Sequence, residues 1–187
     1  TTEKKRATEA LKESNSRFLN NIMQAPVAMC VFRGKEHIVE IANEIMIQLW
    51  GTTAEKVLNK PIFEGLPEAK DQGLENLINS VYSTGDKFIA NERPVQLPRN
   101  GKIETFYLNF VYDALKESDG SISGVVAIAI DVTTQVLARE SILEGEQKVR
   151  QLVENAPFPI GVYVGKEKRI ELANQSIMDV WGKGNDV

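Results

Sequence analysis

Apolar residues recur at Ala7, Leu11, Phe18, Ile22 and Ala25, with charged and polar residues between them. That spacing of three to four predicts a helix over residues 3–24. Pro26 closes it, because proline disfavours helical geometry in the residue before it. The period then shortens. Residues 27–33 and 37–42 are short apolar runs separated by polar Gly34-Lys35-Glu36, the mark of a β-hairpin. Asn43 stands where it can cap a helix over 44–50, which Gly51 ends. A helical turn over 53–58 is stopped by Pro61. Leu74, Leu77, Ile78 and Val81 then line one stripe of a longer helix, 71–83, with Gly85 as its C-cap. Two extended runs, 88–97 and 102–114, flank Asn100-Gly101, which favours a tight hairpin turn. Asp119-Gly120 makes the next turn into a last strand over 122–132.

The pattern then starts again. Ala25-Pro26, Val31, Gly34-Lys35-Glu36, Glu40, Ala42-Asn43 and Trp50-Gly51 recur 131 positions later (156 − 25) as Ala156-Pro157, Val162, Gly165-Lys166-Glu167, Glu171, Ala173-Asn174 and Trp181-Gly182. That is 11 identities in 27 ungapped residues, where average residue usage gives roughly one or two. A period this long indicates tandem domains, since solenoid repeats run about 20–50 residues. The second copy covers about a quarter of its period, and the chain is expected to be a slice of a longer array.

Five strands with helices gathered between the second and third give an α+β domain with an antiparallel sheet. The residues at 21–26 (Asn-Ile-Met-Gln-Ala-Pro), 41–44 (Ile-Ala-Asn-Glu) and 124–133, ending Asp131-Val132-Thr133, together resemble the PAS domain of bacterial sensor proteins. The resemblance implies the PAS fold, a five-stranded antiparallel sheet of order 2-1-5-4-3 with helices enclosing a pocket against one face. It divides the chain into an N-terminal amphipathic helix (1–24), a PAS domain (25–132), a linker helix (133–155) and the start of a second PAS domain (156–187). Phe106, Leu108 and Phe110 alternate with more polar neighbours, and with Val126, Ile128 and Ile130 they are expected to face the helices.

Composition narrows the function. A formal charge of −4 argues against a nucleic-acid or anionic-membrane surface. The longest wholly apolar stretch, 125–130, is far short of the ~20 residues that span a bilayer. One cysteine excludes an intramolecular disulfide and fits a reducing, cytoplasmic setting, although the parent protein could be membrane-anchored elsewhere. Cys30 is expected as a small buried hydrophobe, and the single histidine, His37, as an exposed turn residue. No cluster has metal-ligand spacing and no phosphate loop is present. The usual nucleophile arrangements lack their histidine partner, so the region is not expected to be an enzyme. Set against family relatives that bind haem or flavin, the chain lacks a histidine or an Asn-Cys-Arg in the right helices. Neither cofactor is expected.

Binding and transmission remain. The candidate pocket comprises Leu49, Trp50, Phe63, Leu74, Leu77, Ile78, Val81, Phe88, Phe106, Leu108 and Phe110. These residues either fill one another's space or surround a small apolar or aromatic ligand. Positions 135, 138, 142, 145, 149, 152 and 156 form a narrow a/d seam with weak spots at Gln135 and Gly145. A comparable series runs through the first helix, and homodimerisation through 3–24 and 133–155 is expected. Asp131 and Thr133, where the last strand becomes the linker, are the candidate transmission point. The family resemblance suggests a histidine-kinase parent, with a cyclic-dinucleotide enzyme or a ligand-free scaffold as alternatives. Two strands and a helix bury too little to stand alone, so residues 154–187 are expected to be poorly ordered or to borrow a neighbour's surface.

Overall fold

The computed structural model describes residues 2–182, divided into two compact units between Thr134 and Gln135. In the first unit a long helix, α1 (Thr2–Met23), precedes a hairpin of β1 (Ala28–Arg33) and β2 (Ile38–Ala42). Short helices α2 (Glu44–Trp50), α3 (Ala54–Val57) and α4 (Ile62–Gly65) follow. A 3-10 turn over Pro67–Gln72 and helix α5 (Leu74–Thr84) complete the helical layer. Strands β3 (Phe88–Arg99), β4 (Lys102–Lys116) and β5 (Ile122–Asp131) then run as a meander. All pairs are antiparallel, and the sheet order is β2-β1-β5-β4-β3. This is the α+β architecture and strand order anticipated above.

Local chemistry explains the turns. Asn100 and Gly101 both have positive φ, 51° and 75°, as a two-residue hairpin requires. Pro94 and Pro98 donate no ladder hydrogen bond and sit on β3, an edge strand where that loss is tolerated. The Asn43 side chain caps α2 by accepting from the Met46 amide at 2.9 Å. Its oxygen also accepts from the Met29 amide at 3.1 Å, and its nitrogen donates to the Val27 and Ile22 carbonyls at 2.8 and 3.2 Å. One fully buried amide thus uses both donors and both acceptor positions, joining α1, β1 and α2.

Gly51 ends α2 at φ 66°, and a Cβ there would run into the Pro98 carbonyl oxygen. The close approach lets Arg99 reach the end of α2, donating to the Gln48 and Leu49 carbonyls while its guanidinium lies 4.6 Å from the Phe106 ring centre. A cation suits the negative end of a helix.

Two expectations need correction. Pairing of Phe110 with Ala129 and Tyr112 with Ala127 puts Val125, Ala127 and Ala129 on the helical side. Val126, Ile128 and Ile130 therefore face away, and Ile130 is about half exposed. Every residue from Val125 to Ile130 is apolar, so alternation carried no parity signal and the ladder register decides. His37 is the second correction: it is buried, 3% exposed. Its backbone adopts the turn conformation foreseen, φ 54°, but its ring lies under α5.

The second unit contains most of α6 (Thr133–Glu154), a two-stranded sheet of β6 (Gly161–Val164) and β7 (Arg169–Ala173), and α7 (Gln175–Val180). Asn174 repeats the asparagine network: its oxygen accepts from the Ile160 and Ile177 amides, and its nitrogen donates to the Phe158 and Ala156 carbonyls.

Candidate functional site

The first unit encloses an apolar cavity of about 60 Å³ between its helical layer and the inner sheet face. Cys30 and Phe32 of β1, Ala127 and Ala129 of β5, and Leu108, Phe110 and Tyr112 of β4 form its floor. Val95 and Leu97 close it at β3. Met46, Leu49 and Trp50 of α2, Ile62 and Phe63 of α4, Leu66 at the junction of α4 and the 3-10 turn, Ala69 of that turn, and Leu74 and Ile78 of α5 form the rest. The space exists because small floor residues meet large rings. Phe110 packs on Tyr112 at 4.9 Å and on Phe88 at 6.0 Å, and Phe32 stacks on Trp50 at 6.4 Å. Ala127 and Ala129 of β5 are the smallest side chains of the floor.

Of the pocket residues named from sequence, Leu49, Trp50, Phe63, Leu74, Ile78, Leu108 and Phe110 lie on the cavity wall. Val81 is buried in the core away from it, and Leu77, Phe88 and Phe106 pack partly buried against that core. Sequence reasoning missed Cys30, Phe32, Met46, Tyr112 and the floor alanines. Period-two alternation from Phe110 points to Tyr112, a signal that was present but unused.

The site carries no formal charge. Burial pushes the Cys30 thiol well above its ordinary range, opposed in part by a backbone hydrogen bond with Ala127. Burial also raises the Tyr112 phenol, with Cys30 adding to the effect and Arg93 opposing it. Both groups stay protonated at neutral pH, so the cavity favours an uncharged occupant. A water needs about 10–15 Å³ of such space and a drug-sized ligand some 300–1,000 Å³ of pocket. The space admits a few heavy atoms unless its wall moves. Among the described residues no group of three or more His, Cys, Asp or Glu is placed to hold a metal ion.

At the end of β5 the Asp131 carboxylate accepts from the Thr133 amide at 2.9 Å and from the Thr133 hydroxyl. That hydroxyl accepts from the Tyr107 amide of β4 at 2.9 Å, and the Val132 amide donates to the Tyr107 carbonyl at 2.9 Å. Asp131 and Thr133 are thus held to the sheet at the residue where α6 begins. Among the described residues no helix is long and apolar enough to cross a membrane.

Comparison with known proteins agrees with this geometry. The sequence model of a family described as PAS fold matches residues 23–137. The two-component sensor PprA of Pseudomonas aeruginosa is 28% identical over 173 residues, covering 86% of this chain and 17% of PprA. The chain therefore spans about a sixth of that relative's length. The PAS domain of Bordetella pertussis BvgS superposes with a TM-score of 0.52 at 22% identity, over 72% of this chain and 98% of that one. A Rhodobacter sphaeroides LOV protein gives 0.55 at 11% identity, over 72% and 76%. At these identities the two structures speak for the fold alone.

Proposed function

This chain belongs to the PAS-fold family, and from that premise we propose that residues 25–132 are a sensory PAS domain of a larger signalling protein. The domain reads a small uncharged ligand, or the state of a neighbouring domain, and passes it through β5 into α6. One observation carries the reading: β5 supplies the cavity floor with Ala127 and Ala129, and two residues later its end is tied to the start of α6 through Asp131 and Thr133. A shift of the floor is then a shift of the helix. The PprA relative supports a two-component parent, most simply a sensor histidine kinase. The chemistry of output lies outside residues 25–132, which act as input.

Self-association through residues 3–24 and 133–155 belongs to the same proposal. Leu11 and Phe18 in the first helix, and Ile142, Val149 and Leu152 in the second, are each more than half exposed in the single chain. Apolar side chains repeating at that spacing suit a parallel partner helix. The 60 Å³ volume favours one competing reading, a ligand-free scaffold whose sole task is pairing.

Mass spectrometry of the natively purified protein, followed by organic extraction, separates the two. A stoichiometric bound molecule supports the sensor; a clean apo mass supports the scaffold. The transmission step has its own test. Asp131→Ala is expected to leave the domain folded while abolishing the dependence of linker geometry on cavity state, read by spin-label distances across α6. Unchanged coupling in that variant removes the junction from the mechanism.

A further inference from the structure

His37 is the buried polar group that the sensory reading leaves unused. Its position in the hairpin turn does not require an imidazole: the equivalent residue of the second copy, Lys168, adopts φ 50° against 54° for His37. The histidine side chain is accounted for by what it touches. Its Nε2 lies 2.7 Å from the Asn79 amide oxygen, and its ring meets Tyr82 edge-on at 6.0 Å. Both partners project from α5, whose Leu74 and Ile78 wall the cavity. The carbonyl of His37 also accepts from the Ile62 amide at the start of α4, another wall element. An amide oxygen only accepts, so Nε2 carries the ring proton and donates it. Nδ1 is then a bare acceptor, buried and without a hydrogen-bond partner.

We infer that His37, Asn79 and Tyr82 form a proton-sensitive latch holding α5 against the β1–β2 turn. Protonation places a second N–H on Nδ1 where no acceptor waits and puts a charge in a buried position, both of which oppose the closed state. The latch is closed while the ring is neutral and weakens when Nδ1 takes up a proton. Among the described residues no carboxylate lies within ion-pair distance of the imidazole. Lys35 and Glu36 of its own turn and Glu64 of α4 are exposed, Glu75 lies a turn away on α5, and Tyr82 presents a ring edge. Opening frees the outer face of α5 while Ile78 remains on its inner face, so the cavity wall gains freedom without a ligand.

His37 is the chain's single histidine, so its imidazole resonances are unambiguous. Long-range proton–nitrogen spectra of the whole chain are expected to show the Nε2–H tautomer near pH 7.5. Between about pH 7.5 and 5, hydrogen exchange of α5 amides, corrected for intrinsic rates, is expected to accelerate about tenfold relative to α2. In His37→Gln that difference is expected to vanish. An Nδ1–H tautomer at neutral pH overturns the latch, as does equal acceleration of α2 and α5 in the wild-type chain. The two wild-type readouts decide the matter even if the variant does not fold.

Discussion

The two copies of the first hairpin and helix are built alike and buried differently. Val31 pairs with Ile41 and Phe32 with Val39, skipping Glu40; Val162 pairs with Leu172 and Tyr163 with Ile170, skipping Glu171. Both turns contain a glycine and a non-glycine residue at positive φ, and both helices begin at an asparagine with four hydrogen bonds. Yet Val31 and Phe32 are 1% and 3% exposed, against 40% and 50% for Val162 and Tyr163. The difference teaches which layer of the structure is local. Bulge, turn and cap are set by residues within some 20 positions, whereas burial waits for β5 and α5, which arrive far along the chain.

Substitutions at matched positions test that division, and the largest effect is expected at the tryptophans. Trp50 is 8% exposed and stacks on Phe32, so Trp50→Ala should cost about 3–5 kcal/mol in denaturant unfolding of the first unit. Trp181 is 38% exposed, and Trp181→Ala should cost about 1 kcal/mol or less. Equal losses would break the comparison. Next come the asparagines. Asn43→Ala strands buried backbone groups and removes a cap, for about 3 kcal/mol. Asn174→Ala should leave the main unfolding transition in place while raising amide exchange in α7, because its network serves only a small unit. The smallest effect concerns the skipped glutamates. Arg33 reaches Glu40 at 2.7 Å with both side chains 43% exposed, so Glu40→Gln should cost about 0.5 kcal/mol and less in high salt. The residue matching Arg33 is Val164, and Glu171→Gln should change nothing measurable in the same titration.

The same division explains what was legible in the sequence. Asn43, Gly51, Asn100-Gly101 and the stripe of α5 act through neighbours a few residues away, and their elements stand where the pattern put them. The inward face of β4 was readable because polar residues alternate with Phe106, Leu108 and Phe110. The inward face of β5 was not, because Val and Ile beside Ala give no polar contrast and the partner strand sets the parity. His37 looked exposed because polar neighbours surround it in sequence, while Asn79 and Tyr82 lie more than 40 positions away. The cavity was half legible. Large apolar residues announced a core, but a cavity depends on where side chains are small, and Ala127 and Ala129 carry no mark of that role.

The position of β5 has a consequence for synthesis of the chain. Ala28 of β1 pairs with Ala129 of β5, 101 residues later (129 − 28). At roughly 5–20 residues per second, a ribosome leaves the first hairpin about 5–20 s without its second neighbour. Throughout that interval the nascent hairpin holds its turn and bulge but presents one open strand edge and an uncovered apolar face. Because β5 follows α5 and β4 in the chain, the order of translation sets the order in which this core can close.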